Sequence, residues 1–151
     1  MKRTLVTAVC ALLFTFSALA NSHMEKSLYQ RLGGYDAIAA VTDDFIGRLA
    51  KDKTLGKFLA GHSQDSLMKI RQLVVDQLCA ATGGPCVYIG RDMKTAHKGM
   101  GISKADWDLA ARHLVASLDK FKVPEKEKAE VLAAIGAMEK DIVDSKEMAA
   151  K

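Results

Sequence analysis

The chain is predicted to be all-α, and three observations carry that reading. It has only two prolines, is rich in Ala and Leu, and has just 6 % aromatic residues, a balance that favours helices over sheet. Apolar residues recur at three-and-four spacing in four long segments. Capping residues and glycines stand at the ends of those segments. With 151 residues, one domain can bury its own core without staples.

Ser27 can cap a short helix through Leu32, and Gly33-Gly34 then breaks it. From Tyr35 to about Lys51, the positions Ile38, Val41, Phe45, Ile46 and Leu49 form one helical face. Leu55 to Leu59 is a short turn ending at Gly61. After the polar run His62 to Ser66, the residues Leu67, Ile70, Val74, Leu78 and Ala81 share a face, with Leu73 beside them. Gly83-Gly84-Pro85 stops that helix, and Cys86 to Arg91 has no period of its own.

Asp92 is placed to cap a short helix from Met93 to Met100. Ser103-Lys104-Ala105-Asp106 resembles a capping box. It opens a helix with core positions Trp107, Ala110, Ala111, Leu114, Leu118 and Phe121. Pro124 restarts the chain into a last helix burying Val131, Ile135, Met138 and Ile142. Two pairs of long helices with short links make the domain.

The N-terminus reads as an export signal over residues 1–20. Lys2 and Arg3 form the positive region, Leu5 to Phe16 the apolar run, and Ala18-Leu19-Ala20 the small-x-small site. The run falls short of the ~20 apolar residues of a spanning helix, so the mature protein is expected in the periplasm with no stable membrane insertion. A polar leader follows over residues 21–26, then the domain over 27–145 and a frayed tail over 146–151. Removing Lys2 and Arg3 lowers the formal charge of +4 to about +2. The remaining charges alternate in sign, which excludes a nucleic-acid-binding stripe.

Cys10 lies in the apolar run, so the mature chain keeps Cys79 and Cys86 in a compartment that permits disulfides. Two readings stand: a bridge across the Gly83-Gly84-Pro85 hinge, or two buried thiols acting as small hydrophobes. The spacing does not supply the Cα separation that decides between them.

The stretch from Gly83 to Ile102 is the unusual one. Its helix is too short to be stable alone and carries one histidine, His97, between Met93 and Met100. A neutral imidazole is a common iron ligand, and one suffices where a porphyrin supplies the other nitrogens. Residue type alone does not assign that role, because a lone histidine beside apolar residues is more often structural. His113, next to Leu114 on a core helix, is read as structural, and His23 in the leader carries no weight.

Several motifs in order make the pattern specific. They are Leu28-Tyr29-Gln30-Arg31-Leu32-Gly33-Gly34, then Gly83-Gly84-Pro85, then Tyr88-x-Gly90-Arg91-x-Met93, and finally His97-x-Gly99-Met100-x-Ile102. From Leu28 to Val143 the chain resembles a group 1 truncated haemoglobin. The resemblance implies a two-over-two helical sandwich holding one haem b per chain, with His97 as the proximal iron ligand. It implies haem contacts from Phe45, Ile46, Phe58, Ile70, Leu73, Val74, Met93, Ile102 and Leu114. Tyr88, Arg91, Lys94 and Lys98 bracket the histidine, where Tyr88 and Lys98 are placed for the haem propionates.

The departures from that family are informative. Its members usually place a tyrosine directly after the phenylalanine of the second helix and a polar residue such as glutamine on the distal face of the fourth. Here Ile46 follows Phe45, and the corresponding helix offers Ile70, Leu73 and Val74. The stretch from His62 to Ile70 is longer than in common members, which leaves His62 and Gln72 as alternative polar groups. Dioxygen gains partial negative charge on binding haem, and a donor to it contributes ~1 to 3 kcal/mol.

The resemblance therefore implies reversible binding of a diatomic gas, with carbon monoxide or nitric oxide favoured relative to dioxygen by the apolar distal wall. An enzymatic alternative is nitric oxide dioxygenation, which needs an electron donor in the same compartment. A third reading is a haem-free exported helical module that binds a partner.

Overall fold

A computed structural model describes residues 25–144. The expected signal sequence, most of the polar leader and the tail lie outside the described residues. Among the described residues every regular element is helical. Helix α1 is Leu28–Arg31, α2 Tyr35–Lys51, α3 Gln64–Ala81, α4 Met93–His97, α5 Lys104–Lys120, α6 Glu125–Gly136 and α7 Glu139–Ile142, with a 3-10 turn at Gly56–Phe58. No helix among the described residues is long and apolar enough to cross a membrane.

The boundaries follow local chemistry. The Ser27 hydroxyl accepts from the Gln30 amide while the Gln30 side chain accepts from the Ser27 amide, so α1 starts with two otherwise orphaned donors satisfied. Ser103 and Asp106 form the same box at α5. Gly33 and Gly34 take φ of +98° and +83°, a region that side chains resist, and this reverses the chain into α2. At the end of α2 the Asp52 carboxylate accepts from the Thr54 and Leu55 amides. It also lies 2.8 Å from His113 Nε2, so His113 ties α5 to the end of α2.

Helix α2 packs on both α3 and α5, and α6 packs on α5. Two apolar clusters result. One joins Ile38 and Ala39 to Val75, Leu78 and Cys79. The other joins Val41 to Leu114, Leu118 and Val131.

Four expectations need correction. On α3 the fully buried residues are Val75 and Cys79, while Ala81 is exposed; the helix carries two neighbouring apolar stripes, and the one facing α2 became core. Phe121 is 41 % exposed because it stands beyond the last turn of α5, with the Lys120 ammonium over its ring. The expected last helix breaks after Gly136: the Met138 amide bonds the Ile135 carbonyl at 2.9 Å, a tighter turn that interrupts the α ladder. Finally, α4 stops at His97 rather than Met100, since Lys98 is extended at φ −57°, ψ 126°.

That broken last helix positions α4. Helix α7 packs against α4, and the Asp144 amide donates to the Ile102 carbonyl at 2.9 Å. A five-residue helix, marginal by itself, is thereby held from its open side.

Candidate haem site

The proximal segment is built from its caps. The Asp92 carboxylate accepts from the Thr95 amide at 2.8 Å and starts α4; the Thr95 side chain and amide hold its pKa below the usual carboxylate value. One turn on, His97 Nδ1 lies 2.8 Å from the Met93 carbonyl oxygen. A carbonyl only accepts, so Nδ1 carries the proton and Nε2 keeps its lone pair. A histidine oriented this way through its other nitrogen is the usual form of a metal-ligating imidazole. His97 is half-buried.

The loop leading to α4 is anchored twice. Cys79 and Cys86 form a disulfide with a Cα separation of 5.8 Å, which decides between the two readings of these cysteines. Further along, the Tyr88 hydroxyl donates to the Arg91 carbonyl at 2.6 Å, and a Cβ on Gly90 would lie 2.3 Å from that hydroxyl. Tyr88 thus shapes the loop from within, and burial, helped by Asp92, raises its pKa. Arg91, Lys94 and Lys98 are exposed, and none of them makes an ion pair among the described residues.

Between α2, α5 and α6 lies a cavity of about 410 Å³. Phe45 lines it from α2; Trp107, Ala110, Ala111, Leu114 and Val115 line it from α5; Leu132, Ile135 and Gly136 line it from α6; and Arg112 is its one charged residue. Of the sequence-predicted contacts, Phe45 and Leu114 stand on this wall. Ile46, Phe58, Ile70, Leu73, Val74, Met93 and Ile102 are half-buried and, like His97, do not line the cavity, and Val74 packs on the cluster around Val75. Lys98 is exposed. Trp107, Ala110, Ala111 and Ile135, which the helical period assigns to the core, line the cavity.

The polar candidates on α3 point elsewhere. Gln72 Nε2 donates to the Tyr35 hydroxyl at 2.7 Å and to Asp76 Oδ1 at 3.0 Å. Arg71 forms a two-pronged pair with Asp43 at 2.7 and 2.9 Å. His62 is exposed in the turn before the α3 cap.

These residues fit haem. A porphyrin needs an apolar slot, one axial base with a free lone pair, and cations where its carboxylates emerge. Phe45 and Leu114 on the cavity wall, the half-buried aliphatic residues, the Nε2 of His97 and the exposed Lys98 supply groups of each kind. No group of three or more His, Cys, Asp or Glu side chains able to hold a bare metal ion occurs among the described residues.

Comparison with known proteins agrees. The family model for bacterial-like globins matches residues 27–144. The group 1 truncated haemoglobin GlbN of Mycolicibacterium paratuberculosis is 36 % identical over 116 residues, covering 77 % of this chain and 83 % of the relative. The group 1 truncated haemoglobin GlbN of a Synechocystis species is 35 % identical over 116 residues, covering 74 % and 91 %. Among solved structures, the Fe(III) truncated haemoglobin of Tetrahymena pyriformis superposes with a TM-score of 0.73 at 27 % identity, covering 80 % of this chain and 100 % of that one. The 2/2 haemoglobin of a Synechococcus species, crystallised with covalently attached haem, gives 0.71 at 27 % identity, covering 78 % and 98 %. The chain is therefore a haem-binding, gas-binding member of the bacterial-like globins, akin to the group 1 truncated haemoglobins.

Proposed function

We propose that His97 is the axial base of the haem and that the distal side of the pocket lacks a hydrogen-bond donor, so the protein holds dioxygen loosely relative to carbon monoxide and nitric oxide. The observation that carries the first half is the 2.8 Å contact from His97 Nδ1 to the Met93 carbonyl, which leaves Nε2 as a base. When bound, the haem supplies the iron at which the gas is taken. The chain orients the imidazole, excludes water and sets the polarity of the space around the gas.

The second half rests on the aliphatic residues Ile46 of α2 and Ile70, Leu73 and Val74 of α3, with Gln72 committed to Tyr35 and Asp76. An apolar wall removes the charge-assisted bond that dioxygen relies on, while carbon monoxide and nitric oxide depend on it less. Turnover of nitric oxide needs dioxygen to be held for long, and the same wall works against that. The exported, periplasmic setting suggested by residues 1–20 suits a disulfide-bonded domain.

Absorption spectra of the ferric, ferrous and carbon monoxide forms test the proximal assignment. His97→Ala is expected to weaken or shift the Soret band, with free imidazole restoring it. An unaltered spectrum in that variant would remove His97 from the iron.

A further inference from the structure

The loop that follows the disulfide is built to present apolar side chains to the outside. From Cys86 to Arg91 burial alternates strictly: Cys86, Tyr88 and Gly90 face inward, and Val87, Ile89 and Arg91 face outward, the two-residue period of an extended segment. Val87 is 75 % exposed and Ile89 82 %. The inward side is fixed by the Cys79–Cys86 bridge and the Tyr88 hydroxyl bond to Arg91, so these two branched aliphatics cannot fold back under cover. Beside them stand Arg91 and, on the next element, Lys94, both exposed and without ion pairs among the described residues; Asp92, the one acid between them, caps α4.

We propose that this loop is a membrane-docking tip, with Val87 and Ile89 entering the headgroup boundary of an anionic bilayer while Arg91 and Lys94 contact lipid phosphates. Aliphatic residues at the tip of a fixed loop, with flanking cations, match the chemistry of an interfacial contact. Two aliphatics and two cations offer far less than the ~800 Å² per partner of a stable protein interface, which favours a lipid surface over a protein.

The test is vesicle co-sedimentation of the haem-loaded protein, purified after export, with phosphatidylcholine vesicles alone and with equal parts of phosphatidylglycerol. The wild type is expected to partition to the anionic vesicles and to be released by salt. The double variant Val87→Ser with Ile89→Ser should weaken partition by about tenfold with the Soret band unchanged, and Arg91→Gln with Lys94→Gln should separately weaken it by about tenfold. Equal partition of wild type and both variants overturns the proposal. So does a wild type that stays in solution, or one that instead self-associates or captures an acidic protein through these side chains. Partition reads no haem chemistry, so its outcome is independent of the role given to His97.

Discussion

Cys79 is fully buried in the last turn of α3, and its bond to Cys86 joins the helix carrying Ile70, Leu73 and Val74 to the loop that runs directly into the His97 helix. The end of α3 and the loop leading into α4 are thereby linked by a covalent path shorter than the intervening chain. By the chain-entropy model a closed loop of this size contributes about 2.5 kcal/mol. The double variant Cys79→Ser with Cys86→Ser should melt several degrees lower by calorimetry and release haem to an acceptor protein faster. Equal melting and equal haem loss would show that the hinge holds without the bridge.

Ile46 tests the distal wall. It sits one residue after Phe45, which lines the cavity, and it is only half-buried. Ile46→Tyr would place a phenolic donor among aliphatic residues, and a donor of ~1 to 3 kcal/mol converts to ~10 to 100-fold in affinity. Dioxygen dissociation measured by stopped flow should slow by that order, with carbon monoxide dissociation much less affected. An unchanged or faster dioxygen rate would place residue 46 away from the gas.

Legibility in the sequence varied with the range of the interaction. The helices, the Ser27 cap and the Ser103–Asp106 box were readable because period and capping are local. The face of α3 that becomes core was not: Ile70 and Val74 form one apolar stripe, Val75 and Cys79 another, and only packing on α2 chooses between them. Trp107, Ala110 and Ile135 were visible as apolar but not as cavity wall, since a side chain facing a cofactor has the same chemistry as one facing the core. The outward commitment of Gln72 depends on Tyr35, thirty-seven residues away, which no local pattern encodes.

Two carboxylates join α2 to α5 and give the fold an acid limit. Asp44 accepts from Lys120, from Arg48 Nε at 2.6 Å and from the Ser117 hydroxyl at 2.8 Å, and these bonds hold its pKa far below the usual value. The bond to His113, with those from the Leu55 and Thr54 amides, lowers that of Asp52. A depressed folded-state pKa contributes stability that is fully present above the unfolded value of ~4 and is lost as pH falls through the folded one. Melting temperature should therefore hold between neutral pH and about 5 and fall below about 4. Asp44→Asn should melt lower at neutral pH, and its deficit should shrink as the medium is acidified. A deficit independent of pH would assign the effect to packing.

Two glycines should respond in opposite directions to the same substitution. Gly136 closes α6 and lines the cavity, and a Cβ there would meet nothing within 4 Å. Alanine favours helix over glycine by ~0.5 to 1 kcal/mol, so Gly136→Ala should raise the melting temperature by about 2 to 5 °C. Gly84 sits in the hinge, where a Cβ would fall 2.5 Å from Tyr29 Cδ2, 2.6 Å from Cys79 Sγ and 2.8 Å from the Cys79 carbonyl oxygen. The aromatic ring can shift, but the backbone oxygen and the bridged sulfur cannot easily do so. Gly84→Ala should therefore lower the melting temperature by several degrees and, because the hinge leads to α4, loosen haem retention as well. Melting both variants beside the wild type settles the matter: a stabilising Gly84→Ala would mean that Tyr29 and the bridge do not pack on the hinge as described.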